Sequence, residues 1–209
     1  MRVVKEHDER RNEIINTAAV LFMEKGYDRC SINDILNKIG IAKGTFYHYF
    51  KSKEDVLDAA VDKMSEQIFA QVQEIARKKE IPPADRIIKI LLATRAQDQA
   101  GEALVEEMHK SSNALLHQKT LVSIITMLTP IFTDIVEEGN AAGIFHCAYP
   151  AQSAQILLAA TLTLLDDGIF QIDKTEAARI FEALIAAMEK MLGVADGAFF
   201  EKMYMHWKF

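Results

Sequence analysis

The sequence predicts an all-α protein: a small three-helix head joined by a long fourth helix to a larger helical body. Three observations carry this. Apolar residues recur at three- and four-residue intervals along almost all of the 209 residues. No stretch of strict apolar–polar alternation is bounded by hairpin turns, and glycine or proline marks most ends of the periodic stretches. Half of the residues are hydrophobic and 26% are charged, a composition that can bury a substantial core.

The first helix is expected over about 6–25, with Ile14, Ile15, Ala18, Leu21 and Phe22 on one face; Gly26 supplies a left-handed ending and Tyr27 folds back. Ser31 begins the second, its hydroxyl placed to accept the Asp34 N–H, with Ile32, Ile35, Leu36 and Ile39 inward and Gly40 as the stop. A third helix, 42–50, follows a turn of only a few residues, so two short helices must cross steeply. Ser52 caps the fourth, whose first turn holds Glu54 and Asp55, where carboxylates complement the helix dipole. Leu57, Val61, Met64, Ile68, Val72 and Ile75 draw one apolar stripe along it, until Pro82-Pro83 prevents continuation. Further helices are expected over about 84–97, 102–110, 113–138 with a kink at Pro130 and an end at Gly139 and Gly143, 151–167 and 174–192. A short terminal helix would carry Phe199, Phe200, Tyr204, Trp207 and Phe209.

The net charge of −6 argues against general phosphate binding, but it is unevenly spread. Residues 1–53 hold ten Lys/Arg against seven Asp/Glu, and residues 54–209 hold fourteen against twenty-three. Nucleic acid would therefore be met by the head alone, and the chain divides into domains 1–53 and 54–209. An architectural DNA protein would need more basic surface than this. An enzyme or carrier is disfavoured because there is no glycine-rich phosphate loop, no paired carboxylates spaced with His, and no metal-ligand spacing, so no cofactor and no metal are expected. Cys30 and Cys147 form no CxxC or Cys/His pattern and read as reduced structural thiols. No continuous apolar run reaches the roughly 18 residues of a bilayer span, and 1–11 lacks the apolar core of a signal peptide; a cytoplasmic protein with no membrane partner is expected.

The informative run is 39–53, Ile-Gly-Ile-Ala-Lys-Gly-Thr-Phe-Tyr-His-Tyr-Phe-Lys-Ser-Lys. A helix that enters the DNA major groove exposes polar, basic and aromatic groups on one side while apolar residues anchor the other. Ile41, Phe46 and Phe50 can turn into a three-helix core, leaving Lys43, Thr45, Tyr47, His48 and Tyr49 on or near the surface. Helical spacing cannot place both tyrosines outward. Gly44 lets backbone approach a phosphate or base closely. Together with Ala18-Ala19, Leu21-Phe22, Gly26-Tyr27, the 31–35 helix start and the 50–54 junction, this run resembles the tetracycline-repressor (TetR) family of bacterial regulators over about 13–57.

The resemblance implies nine or ten helices, a homodimer, a double-stranded DNA operator and repression relieved by a small-molecule effector. It implies that Lys43, Gly44 and Thr45 start the recognition helix near bases and phosphates, that Tyr47 and His48 donate to the DNA backbone, and that Lys53 meets a phosphate at a helix N-terminus. Asn33 is a candidate for base or phosphate contact. Within 64–165 an effector pocket between helices would draw on Met108, His109, His117, Met127 and Phe132, and the methionines favour a hydrophobic effector. The Ala/Leu-rich helices 151–167 and 174–192 would pair across a two-fold axis through Leu158, Leu162, Leu165, Phe181, Leu184, Ile185 and Met188, some of which must also serve the monomer core.

Overall fold

The structure is a computed structural model and describes residues 7–94, 105–200 and 203. All regular structure among them is helical, as expected: α1 (His7–Lys25), α2 (Ile32–Ile39), α3 (Lys43–Tyr49), α4 (Lys53–Arg77), α5 (Pro83–Ala93), α6 (Ala114–Ala141), α7 (Pro150–Leu164) and α8 (Lys174–Leu192). A helical piece at 105–108 and a 3-10 turn, Ser111–Asn113, precede α6. The expected helix ends at 95–97 and 102–104, and the terminal aromatics Tyr204, Trp207 and Phe209, lie outside the described residues.

Contacts divide the chain into two compact units, 1–66 with 99–123 and 67–98 with 124–209. This division differs from a boundary at residue 53. The first half of α4 contributes Val56, Leu57, Ala60 and Val61 to the same core as the head, and Met108 and Leu116 join it.

In the first unit Ile14, Ala18, Phe22, Ile35, Phe46 and Leu57 are completely buried. Local sequence fixes how the short helices begin and end. The Ser31 hydroxyl accepts the Asp34 N–H (3.2 Å) while the Asp34 carboxylate accepts the Ser31 N–H (2.8 Å), a reciprocal cap for α2. Lys25 donates to the other Asp34 oxygen (2.7 Å). The Lys25 ammonium, then the Ser31 hydroxyl and N–H, hold the Asp34 carboxyl far below the usual carboxylate range. Gly40 closes α2 at φ +78°, a left-handed conformation open to glycine. At α4 the Ser52 hydroxyl accepts the Asp55 N–H (3.0 Å) and Asp55 accepts from the Lys51 N–H (2.8 Å).

Asn113, completely buried, fastens the turn before α6 to the α1–α2 connection. Its side-chain oxygen accepts from the Tyr27 N–H (3.2 Å), and its amide nitrogen donates to the Met23 (3.4 Å) and Glu107 (3.1 Å) carbonyls. Gly26 stands at φ +84° with the Ser112 Cβ 2.6 Å from where its own Cβ would be, so the close approach needs glycine twice over. Lys119 of α6 bridges Glu54 (3.0 Å) and Asp58 (2.7 Å) of α4.

In the second unit α5 to α8 pack around Ile87, Ile90, Leu128, Ile135, Leu158 and Phe181. Two charged side chains are buried there, and both are spent on backbone. Arg86 donates to the Ala76 and Ile81 carbonyls (3.0 Å each) and pairs with Glu138, which also meets Lys79. Glu189, 3% exposed, accepts from the N–H groups of Gly197 (2.8 Å), Phe199 (2.7 Å) and Phe200 (3.3 Å), an N-terminal cap for the last described turn. The helix continues through Gly139 to Ala141, and Gly143, also expected at its end, stands just beyond it at φ +68°; Gly139 lets the Phe145 ring lie where a Cβ would be.

Among the described residues one helix, Ser111–Ala141, is long and apolar enough on average to cross a membrane, although it lacks a continuous apolar run. Core helices share that composition, and Leu116, Leu128, Phe132, Ile135 and Val136 on it are buried.

Candidate nucleic-acid interface and ligand cavity

The turn between α2 and α3 is tight because the Gly40 and Ile41 N–H groups both return to the Leu36 carbonyl (2.8 and 3.1 Å). α3 is then pinned by two rings on its inner side, Phe46 at 0% and Phe50 at 2% exposure, 5.9 Å apart. That anchoring turns Lys43, Gly44, Tyr47 and His48 outward, leaves Thr45 and Tyr49 half-buried, and leaves Asn33 exposed on α2. Tyr47, at 46% exposure, is the outward tyrosine; the Lys43 ammonium lies 5.8 Å from its ring centre. A Cβ on Gly44 would meet nothing within 4 Å, so packing among the described residues does not demand a glycine there.

Lys53 departs from its expected place at a phosphate. Its ammonium donates to the Tyr27 (2.8 Å) and Cys30 (3.0 Å) carbonyls and lies 4.0 Å from the centre of the Tyr27 ring. The α1–α2 connection turns its carbonyls toward α4 and draws the charge inward, where two of three ammonium protons are used. Two residues of α1 that sequence reasoning did not single out, His7 and Arg11, stand beside α3. The His7 ring is 4.8 Å from Tyr49 and 5.8 Å from His48, and the Arg11 guanidinium lies 5.3 Å over Phe50. Their i, i+4 spacing on the polar face of α1 was the available signal.

The second unit contains a small apolar cavity lined by ten residues of α5 to α8. Ile87, Leu91, Phe132, Val136, Leu157 and Met188 are among them, and Thr161 supplies the only polar side chain. Of the five residues expected at a pocket, Phe132 lines it. Met108 is instead 8% exposed within the core of the first unit, where Leu116 also lies. His109 and His117 belong to that unit too, their rings 4.9 Å apart, and Met127 is half-buried but not a lining residue. The sequence stripe identified inward positions without saying which of two cores they entered.

Comparison with known families places this architecture. A profile described as bacterial regulatory proteins, tetR family, matches residues 14–60, and one described as tetracyclin repressor-like, C-terminal domain, matches 97–189. The chain belongs to the TetR family. It is 30% identical over 93 residues to the HTH-type transcriptional repressor KstR2 of Mycobacterium tuberculosis, which is 44% of this chain and 46% of that protein. The chain thus spans about half the length of that relative. It is 27% identical over 135 residues to the fatty acid metabolism regulator protein of Bacillus subtilis, 61% of this chain and 69% of that one. A TetR-family regulator from Syntrophomonas wolfei superposes with a TM-score of 0.65 at 27% identity, covering 92% of this chain and 100% of that one. A second, from Pectobacterium atrosepticum, gives 0.62 at 19% identity over 93% and 98%, a likeness of fold alone.

For a TetR-family chain, the expected pairing face on α7 and α8 needs correction. Leu158, Phe181, Ile185 and Met188 are 1 to 4% exposed within the chain's own core and have no surface left to offer a partner. Leu162, Leu165 and Leu184 are half-buried. The outward apolar positions are Ile156 (56% exposed) and Leu164 (37%) on α7, with exposed Ala183, Ala186 and Ala187 on α8. Core and outward positions on α7 and α8 are both rich in Ala, Leu and Ile, so the sequence alone could not separate the faces.

Proposed function

We propose that this chain is a cytoplasmic repressor that reads a palindromic operator as a homodimer and releases it when a small-molecule effector binds. The observation that carries the reading is α3: Phe46 and Phe50 fix its inner side while Lys43, Gly44, Tyr47 and His48 form one exposed face beside Asn33. Lys43 and Tyr47 are suited to base or phosphate contact, Thr45 and His48 to phosphate, and the open space at Gly44 is where DNA would come closest. His7 and Arg11 extend the basic surface. Lys53 supports the face from behind rather than contacting DNA.

A helix of seven residues reads too little sequence alone, and two copies spaced by one DNA turn, roughly 34 Å, recognise a palindrome. Ile156, Leu164 and the alanines of α8 are the surface from which such a pair would form. The division of labour is a DNA-reading head and a ligand-binding, dimerising body. Ligand occupancy would act through α4, which contributes residues to both units, by favouring one arrangement of the two heads over another. The names of the relatives, a transcriptional repressor and a metabolic regulator, support repression as the output.

The test is titration of the purified chain on the DNA upstream of its own gene at physiological salt. A single protected palindrome, a 2:1 protein-to-site stoichiometry and loss of binding on Tyr47→Ala support the proposal; protection spread evenly along the DNA, or none, opposes it.

A further inference from the structure

Two histidines of the first unit are brought together by the helix break before α6. His109 follows the helical piece at 105–108, His117 lies in the first turn of α6, and the 3-10 turn Ser111–Asn113 stands between them. A broken helix separates them in sequence, so no ligand spacing announces the pair. Their rings are 4.9 Å apart and inclined at 52°, and a ring nitrogen of one is within 4.8 Å of a ring nitrogen of the other. Two imidazoles on one ion, with bonds of about 2.0–2.1 Å and an angle of about 90–110° between them, place their ring centres roughly 4.5–5.2 Å apart. The observed separation falls inside that range. His117 is 9% exposed and His109 is half-buried, so an ion held by both would be sheltered and yet reachable past His109.

We propose that His109 and His117 bind a divalent transition-metal ion of the zinc and nickel class, which imidazole nitrogen prefers and magnesium or calcium does not match. The pair supplies two of the ion's ligands. The span it closes contains the turn that seats the α1–α2 connection. There the Tyr27 N–H is shared between the Ser112 carbonyl (3.1 Å) and the Asn113 side-chain oxygen (3.2 Å), and the Asn113 amide donates to the Met23 carbonyl (3.4 Å). An ion tying 109 to 117 therefore clamps that turn. It binds the folded chain in preference to an unfolded one, whose imidazoles are not held together, and so stabilises the unit that carries the DNA-reading head.

The test is equilibrium dialysis of the full chain at pH 7.5 against zinc chloride in excess magnesium, with thermal unfolding of the same samples. One zinc per chain is expected. Its affinity should fall at least tenfold in His109→Ala and in His117→Gln, and should be unchanged in His146→Ala, which removes an exposed histidine of the second unit. At a hundredfold excess over its dissociation constant, zinc is expected to raise the melting temperature of the unaltered chain by roughly 5–10 °C and to leave both ligand variants unmoved. Each ligand variant decides the question alone, so failure of one to fold leaves the other as the test. Absence of zinc binding, undiminished binding by either ligand variant, loss of binding in His146→Ala, or an unmoved melting temperature in the unaltered chain would each overturn the proposal.

Discussion

Replacement of Lys53 by methionine separates a structural lysine from a DNA-contacting one. In the structure its ammonium makes two hydrogen bonds to carbonyls, at 2.8 and 3.0 Å, and covers the Tyr27 ring at 4.0 Å. Hydrogen bonds to a charged group contribute about 1.5–3 kcal/mol each, and the half-exposed setting favours the low end. The cation–π contact adds about 0.5–1 kcal/mol. Lys53→Met should therefore cost about 3.5–4 kcal/mol, and at about 2–4 °C per kcal/mol for a chain of this size the melting temperature should fall by roughly 7–16 °C. The assay pairs thermal unfolding with operator affinity measured across salt concentrations. A lysine bound to phosphate contributes close to one unit to the log–log salt slope, whereas an inward lysine contributes none. The expected result is lower stability with an unchanged slope; an unchanged melting temperature with a slope reduced by about one would refute the placement of Lys53.

Three further outcomes follow from named contacts. Asp34 is held far below its ordinary titration range, so its stabilisation of α2 is complete above about pH 5 and is lost as the pH falls toward its folded value; Asp34→Asn should be less stable than the unaltered chain at pH 7, with the gap narrowing steadily from about pH 5 to pH 2 in a denaturation series, and a gap independent of pH would contradict this. Asn113→Ala removes three hydrogen bonds, two of them buried, and leaves the Met23 carbonyl and the Tyr27 N–H without the amide while Glu107 keeps the Lys110 N–H, at about 2–4 kcal/mol in urea unfolding; a cost below 1 kcal/mol would show that water replaces the amide. Arg86→Met leaves the Ala76 and Ile81 carbonyls without their donor and Glu138 with Lys79 alone, and should lower stability by about 2–4 kcal/mol, read from the urea midpoint.

The sequence revealed most where one residue type has one physical use. Gly26 and Gly40 both adopt the left-handed conformation their position required, Ser31 caps α2 with the bond expected, and Phe46 and Phe50 face inward from α3. The outward set Lys43, Tyr47 and His48 follows from those anchors. It revealed least where a contact joins residues distant in sequence. Nothing local to Lys53 announces that carbonyls 23 and 26 residues earlier will claim its protons. Met108 and Phe132 carry the same apolar signal, yet one enters the core of the head's unit and the other lines the cavity. On α7 and α8 apolar residues occupy outward as well as inward positions, so which stripe is core and which is surface depends on packing partners supplied by α5 and α6. Gly139 read as a helix end because glycine commonly is one; its use here is to admit the Phe145 ring, a partner six residues on.

The claim on which the account turns is that the exposed face of α3 reads DNA. Its most direct measurement is nuclease protection of the region upstream of the gene by the unaltered chain and by a Lys43→Ala, Tyr47→Ala variant, both checked by thermal unfolding. Loss of one exposed base or phosphate contact costs roughly 1–3 kcal/mol of binding. The account predicts one protected palindrome for the unaltered chain and none at the same concentration for the variant, with equal melting temperatures; equal protection by both proteins would contradict it.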